Sequence, residues 1–337
     1  MTDCIDAWTH IHPEKYFARL QTFGSASGRL KRWLTVKSLF DLDERFRIMD
    51  RFPGYRQFLT PSMPPVEDLA DGEAAADLAR LMNDGLAELV AAHPDRFAGW
   101  CGTVSFLDPD AAVKEIDRLA QTDCAGLQII TNIRGQALDA PKFAPVFDAV
   151  AVHGMSIWLH PARGPQIADY PTEDHSKFEI WWAFGWPYES SVAMARLVFS
   201  GLFDRHPNLR VITHHLGAMI PFFSGRIAQG WGRQMGTRTP DSDADLLPKP
   251  LKRTPSEYFK LFYGDTALSG SASATRCGLD FFGEHHVMFG TDFPWDAEGG
   301  AILIRETQRS LDELSLSEKV RSKVDSGNLS AFMTRRP

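Results

Sequence analysis

The chain has 337 residues, 44% hydrophobic and 23% charged, with a net charge of −7. That length and balance suit a globular protein with one large core. No basic run or arginine-rich tail marks a nucleic-acid partner, and no apolar run approaches the roughly 20 residues of a membrane span.

Eight strands are predicted in chain order, at about residues 4–10, 56–60, 97–104, 125–131, 155–160, 210–215, 261–265 and 286–291. Most are short and dense in apolar residues, as strands buried on both faces are. Helical spacing of apolar residues falls between them, over 66–92, 109–120, 142–153, 189–205, 270–279 and 302–313. Strand–helix alternation repeated about eight times predicts an α/β fold, a TIM-like (β/α)8 barrel with loop insertions over its C-terminal face. An open doubly wound sheet is the rival. Its nucleotide-binding versions lack support, because no GxGxxG follows the first strand and no GxxxxGK[ST] occurs.

Three stretches interrupt the alternation. Residues 13–55 are rich in aromatic and basic side chains, 162–188 hold Trp181, Trp182 and Trp186, and 233–256 are polar with four prolines. Each follows a strand end, so each is expected over the barrel mouth, where substrate loops belong. With no repeat and no low-complexity linker, residues 1–337 read as one domain. Cys4, Cys101, Cys124 and Cys277 form no CxxC pair, and the acidic start lacks a basic-then-apolar leader pattern. A reduced, cytoplasmic setting is the expectation.

Four segments close apolar runs with a His or an Asp: Asp6 to Pro13, Trp158 to Pro161, Thr213 to Gly217 and Gly290 to Pro294. Nitrogen and carboxylate donors gathered at strand ends are what a divalent metal requires. A lone His at a strand end is usually a hydrogen-bonded polar residue; four donors ending separate strands argue for a shared purpose. His10 and His12 are two apart, and alternation along a strand lets both face one way, with Trp8 on that face too. The same alternation points His214 away from His215, so His214 reads as structural.

These segments resemble the decarboxylase-type branch of the amidohydrolase superfamily, related to aminocarboxymuconate-semialdehyde decarboxylase. That branch opens with D-x-H-x-H-x-x-P, carries His-Pro after strand five, H-x-G-x-x-x-P-F after strand six and G-T-D-x-P after strand eight. Here the matching text is Asp6 to Pro13, His160-Pro161, His215 to Phe222 and Gly290 to Pro294. His93 to Phe97, Leu202 to Pro207 and Arg226 within Gly-Arg-Ile also resemble it. The likeness covers nearly the whole chain and implies a metal-dependent, non-oxidative decarboxylase of a small aromatic or unsaturated carboxylic acid. It also implies a homodimer, to which the aromatic-rich early segment could supply an interface.

One position departs from the pattern: Trp8 stands where the first His of the opening pair belongs. An indole cannot ligate a metal, since its nitrogen only donates. In one arrangement the metal keeps His10, His160 and Asp292, with water in the remaining place; three protein ligands plus water is a common catalytic zinc geometry. In another, His12 replaces the missing imidazole, although two residues of strand move a donor by about 6–7 Å. A third outcome is a chain that has lost its metal. The first is the expectation. The fourth strand holds no Lys or Glu, whereas two-metal members of the superfamily usually take a bridging ligand from it. At most one divalent ion is therefore expected, zinc in the first instance and manganese as the alternative.

His215 is the candidate acid, because imidazole titrates in the working range. Asp292 either binds metal or orients water on it. The resemblance implies that Arg226 grips a substrate carboxylate, for which a guanidinium fork is suited; a surface ion pair is the plain alternative. Arg163 is a second candidate clamp. Trp8, Trp182 and Trp186 are candidates to line a pocket for a planar ring, against ordinary loop packing. The rival activity is hydrolysis of a lactone or another activated carbonyl. The non-enzymatic rival is a metal-free binding protein derived from the barrel.

Overall fold

A computed structural model of the chain describes residues 3–24, 30–231 and 251–334. All eight predicted strands are present: β1 (Cys4–Ile11), β2 (Tyr55–Pro61), β3 (Phe97–Trp100), β4 (Gly126–Ile130), β5 (Ser156–His160), β6 (Val211–Thr213), β7 (Tyr263–Asp265) and β8 (Val287–Met288). Every pairing among them is parallel. They form a three-stranded sheet in the order β1-β2-β3 and a five-stranded sheet in the order β8-β7-β6-β5-β4. All eight residues of β1 are buried, the polar Asp6, Thr9 and His10 among them.

The two sheets touch along both outer edges. Thr9 bridges to Phe293 and Gly102 to Leu127, each in parallel sense. The Ala7 amide donates to Phe289 O at 2.8 Å, and the Gln128 amide to Gly102 O at 2.7 Å. Between the sheets lies one apolar cluster that includes Ile5, Trp8, Phe58, Trp158, Ile212 and Met288. Phe58 of β2 stacks on Trp158 of β5 with ring centroids 4.7 Å apart. The Trp158 indole N–H donates to Ala7 O at 3.2 Å, so this large ring is satisfied as well as buried.

The connecting helices start where the sequence offers caps. Asp108 accepts from the Ala111 amide at 3.0 Å ahead of helix Pro109–Leu119, and Ser271 caps Ala272–Phe282. Helix Gly72–Ala92 buries Leu78, Met82 and Leu86, a stripe at every fourth residue. The predicted helix 66–92 is in fact two, Val66–Leu69 and Gly72–Ala92, because the backbone is extended at Ala70 and left-handed at Gly72 (φ 51°). The stretch 13–55 is not all loop: it holds helices Glu14–Gly24, Lys31–Leu34 and Leu42–Met49. Their burial of Tyr16, Leu20, Ile48 and Met49 accounts for the aromatic-rich text. Most of the polar excursion 233–256 lies outside the described residues. Among the described residues no helix is long and apolar enough to cross a membrane.

A register shift between Asp6 and Thr9 sets three steps of β1 against two of β2, a bulge that re-aims side chains. At this point Asp6, fully buried, ties β1 to the segment after β8. Its carboxyl accepts from the Trp8 amide (3.1 Å), the Thr291 amide (3.0 Å), the Thr291 hydroxyl (2.5 Å) and the Tyr55 hydroxyl (2.6 Å). Burial pushes this carboxyl up to about 7, while the Thr291, Tyr55 and Trp8 donors pull it back. The folded chain thus keeps a proton that the unfolded chain releases near 3.8. The contribution of Asp6 to stability therefore falls as pH rises from about 4 to about 7, then levels off. Urea midpoints measured across that window are expected to lose this slope in Asp6→Asn; an unchanged slope would contradict the assignment.

Candidate active site

The parallel strands deliver their C-terminal ends to one edge, and five polar residues stand there. His10 lies near the end of β1, His160 ends β5, His214 follows β6, Asp265 ends β7 and Asp292 follows β8. One ligand atom from each of His10, His160 and His214 falls within 4.8 Å of the others, and the same holds for His214, His215 and Asp292. The Asp292 carboxylate lies 3.2 Å from His10 Nε2, 3.1 Å from His214 Nε2 and 3.7 Å from His215 Nε2.

Each of the three buried imidazoles is held from behind. His10 Nδ1 lies 2.9 Å from Pro61 O, His160 Nδ1 2.7 Å from Pro161 O, and His214 Nδ1 2.5 Å from Asp265 Oδ2. A carbonyl cannot donate, so Nδ1 of His10 and His160 carries the hydrogen and Nε2 keeps its lone pair. The Nε2 atoms of His10 and His214 are buried with no hydrogen-bond partner. Buried nitrogens anchored on one side and gathered around a carboxylate on the other are what a divalent cation uses, so these residues fit one.

The electrostatics follow from this crowding. Burial, with the nearby His10 and His214, holds His160 well below its ordinary value. For Asp292 burial acts to raise the carboxyl, but the charge of His214 and the contacts from His10, His214 and His215 hold it well below the usual carboxylate range. For His214 burial acts downward, and Asp265 and Asp292 together lift it to about 9. His215 is lowered, by burial first and then by His214. The backbone is unusual at the same places: Asp292 (φ 66°), His215 (φ 56°), Leu216 (φ 52°) and Ala218 (φ 54°) are all left-handed. Non-glycine residues rarely adopt that conformation, and such residues cluster where side chains must be aimed.

Aromatic rings wall the cluster. Trp8 stacks on His214 at 4.2 Å and 15°. Trp186 meets His160 edge-on at 5.6 Å, and Trp295 lies 6.2 Å from His10.

A family model described as amidohydrolase matches residues 5–328. The chain belongs to the amidohydrolase family. It is similar to the gamma-resorcylate decarboxylase of Rhodococcus jostii, with 29% identity over 334 residues that span 94% of this chain and 95% of the relative. It is also similar to the solved 5-carboxyvanillate decarboxylase from Sphingomonas paucimobilis, at a TM-score of 0.80 and 28% identity over 99% of each chain. The 5-carboxyvanillate decarboxylase from Novosphingobium aromaticivorans was solved complexed with manganese and 4-hydroxy-3-methoxy-5-nitrobenzoic acid. It matches at a TM-score of 0.78 and 25% identity, over 98% of this chain and 94% of that one.

Within this amidohydrolase frame, His10, His160, His215 and Asp292 come together. His12 does not join them. β1 ends at Ile11, the His12 amide turns to Leu39 O, and its ring packs on Tyr16 and Phe17 at 5.6 and 6.3 Å. Burial drives this imidazole down to about 3. Trp182 is exposed and its indole donates to Glu179 at 2.6 Å. Arg163 is paired with Glu189 at 2.9 Å, and its carbonyl accepts from Trp186 Nε1 at 3.1 Å. It therefore holds the wall rather than presenting a free fork. Arg226 is exposed on helix Ser224–Gln229.

The reading of His214 as a residue facing away from its neighbour is corrected. Alternation holds only along extended backbone, and β6 ends at Thr213. His214 is extended (φ −68°, ψ 154°) but His215 is left-handed, so the two rings lie 3.9 Å apart on one side. Asp265 and Trp295 also went unread in the sequence, although Asp265 ends a predicted strand as the other donors do.

Asp265 reaches His214 past a glycine. A β-carbon on Gly290 would lie 2.7 Å from the Asp265 β-carbon, inside any real contact. Gly290→Ala is expected to destabilise the fold by about 1–3 kcal/mol, read from urea denaturation; a neutral result would show that Asp265 has room to shift.

Proposed function

We propose that the chain is a metal-dependent, non-oxidative decarboxylase of an aromatic carboxylic acid, working at the mouth of a (β/α)8 barrel. The observation that carries this reading is the meeting of His10, His160, His215 and Asp292 at one edge, in a chain whose similar relatives bear the names of benzoate-type decarboxylases. The edge bridges Thr9–Phe293 and Gly102–Leu127, with the shared interior cluster, support closure of the two sheets into one barrel.

One divalent ion is assigned to His10, His160 and Asp292. Imidazole and carboxylate donors suit zinc, and manganese, present in a similar structure, is the alternative. When bound, such an ion acts as a Lewis acid toward substrate oxygens. The chain's own residues then divide the work. Trp186 and Trp295 flank the cluster and suit a planar ring. His215, whose side chain is 19% exposed, delivers a proton to the ring carbon that bears the carboxylate. The carbon–carbon bond then breaks, its electron pair returns to the ring, and carbon dioxide leaves. One proton is consumed per turnover, and solvent restores it to His215. Asp292, 3.7 Å from His215 Nε2, partly offsets the lowering that burial and His214 impose on this imidazole.

A homodimer is part of the proposal. The early aromatic segment is a poor source of its interface, since Tyr16 is buried there and Phe23 and Trp33 pack on the core. Tyr170, Phe178, Phe184, Tyr188 and Phe222 are exposed instead, apolar side chains open to a partner copy.

A panel of hydroxybenzoates, dienoic acids and lactones, followed by mass spectrometry and carbon dioxide release, tests the activity. Loss of carbon dioxide from a hydroxybenzoate is expected, abolished by chelator and restored by zinc or manganese. His215→Ala is expected to lower kcat by about 100-fold or more. Opening of lactones with every carboxylic acid left intact would sink the proposal.

A further inference from the structure

The proposed reaction leaves Trp8 and His214 of this edge idle, and they are in contact. The indole is completely buried, its face lies 4.2 Å from the His214 ring at 15°, and its nitrogen has no partner. Having no lone pair to offer, it acts only as a floor. His214 in turn is fixed in two ways. The floor sets its ring plane. Asp265 holds Nδ1 at 2.5 Å, and the other Asp265 oxygen is itself pinned by the Leu216 amide (3.2 Å) and the Ala267 amide (3.0 Å). Its Nε2 is buried, lacks a hydrogen-bond partner and is aimed at the space that His10, His160 and Asp292 also face, 3.1 Å from Asp292 Oδ1.

We infer that His214 is a fourth protein ligand of the metal, set on Trp8 as a platform and oriented by Asp265, and that His215 alone is left for proton transfer. The inference rests on the proposed metal-dependent reading. Ligands of a tetrahedral ion lie roughly 3–4 Å from one another, and the His214–Asp292 separation of 3.1 Å is close to that range. A carboxylate on the far nitrogen of a ligating imidazole is the usual means of fixing its tautomer and raising its basicity. The competing account makes His214 a protonated bridge between two carboxylates, Asp265 and Asp292, with no bond to metal. The two differ in what the ion sees.

The test uses the full chain, stripped by chelator and reloaded with zinc or cobalt(II). Wild type is expected to take up one ion per chain, with three imidazoles by X-ray absorption. His214→Ala is expected to bind zinc at least about 100-fold more weakly, by competition with a chromophoric chelator, and to show an altered cobalt visible spectrum. Asp265→Asn, which keeps every donor, is expected to weaken binding by about 10- to 100-fold. Two imidazoles in wild type, or a His214→Ala variant with wild-type affinity and an unchanged cobalt spectrum, would overturn this inference and leave the decarboxylase reading standing. Wild type that takes up no stoichiometric ion would overturn both. Should His214→Ala fail to fold by circular dichroism, the imidazole count in wild type decides.

Discussion

A carbonyl or a carboxylate behind each imidazole decides which ring nitrogen faces the others. Pro61 O, Pro161 O and Asp265 do this for His10, His160 and His214. Without those anchors a buried imidazole could present either tautomer, and three of them packed together would seek one another's protons. With the carbonyl anchors, the lone pairs of His10 and His160 point inward and their hydrogens outward. Two of the anchors are main-chain atoms of the strand ends themselves, so the electronic character of the site is set by the register of the sheet. The site and the parallel architecture are one construction: slipping a strand by one residue would turn its site residue to the other face of the sheet.

The same economy appears in the loops. The left-handed run at His215, Leu216 and Ala218 and the left-handed Asp292 turn the chain sharply as it leaves the sheet, so that consecutive residues act on one side. Room for these turns comes from missing side chains. A β-carbon on Gly264 or Gly278 would meet Leu216 within 3 Å, and one on Gly217 would meet Phe282 at 2.6 Å. Strain of this kind persists only where the surroundings over-determine it, as this packing does.

The strands, the intervening helices and four of the site residues were legible in the sequence, because short apolar runs ended by His-Pro, Asp-Phe-Pro or His-x-His carry their own punctuation. What was not legible lies where regular backbone ends or where a partner carries no motif. His214 was misplaced because alternation was carried one residue past the end of β6. His12 was given a place at the site because alternation was carried past the end of β1. Arg163 and Trp182 looked free because Glu189 and Glu179, their partners, stand many residues or one helical turn away and carry no motif. Asp265 ended a strand like the other donors, yet lacked a proline or a second donor beside it to draw notice. Periodicity describes regular backbone; the chemistry is set where the backbone stops being regular.

Asp6 reaches across 285 positions of sequence to take both donors of Thr291, the neighbour of Asp292. β1 thus meets this partner only when the far end of the described chain is in place. Until then the edge of β1 and the imidazole of His10 have no opposite side. Separating β1 from Thr291 also parts His10 from Asp292, so the donor set is complete only in the closed chain.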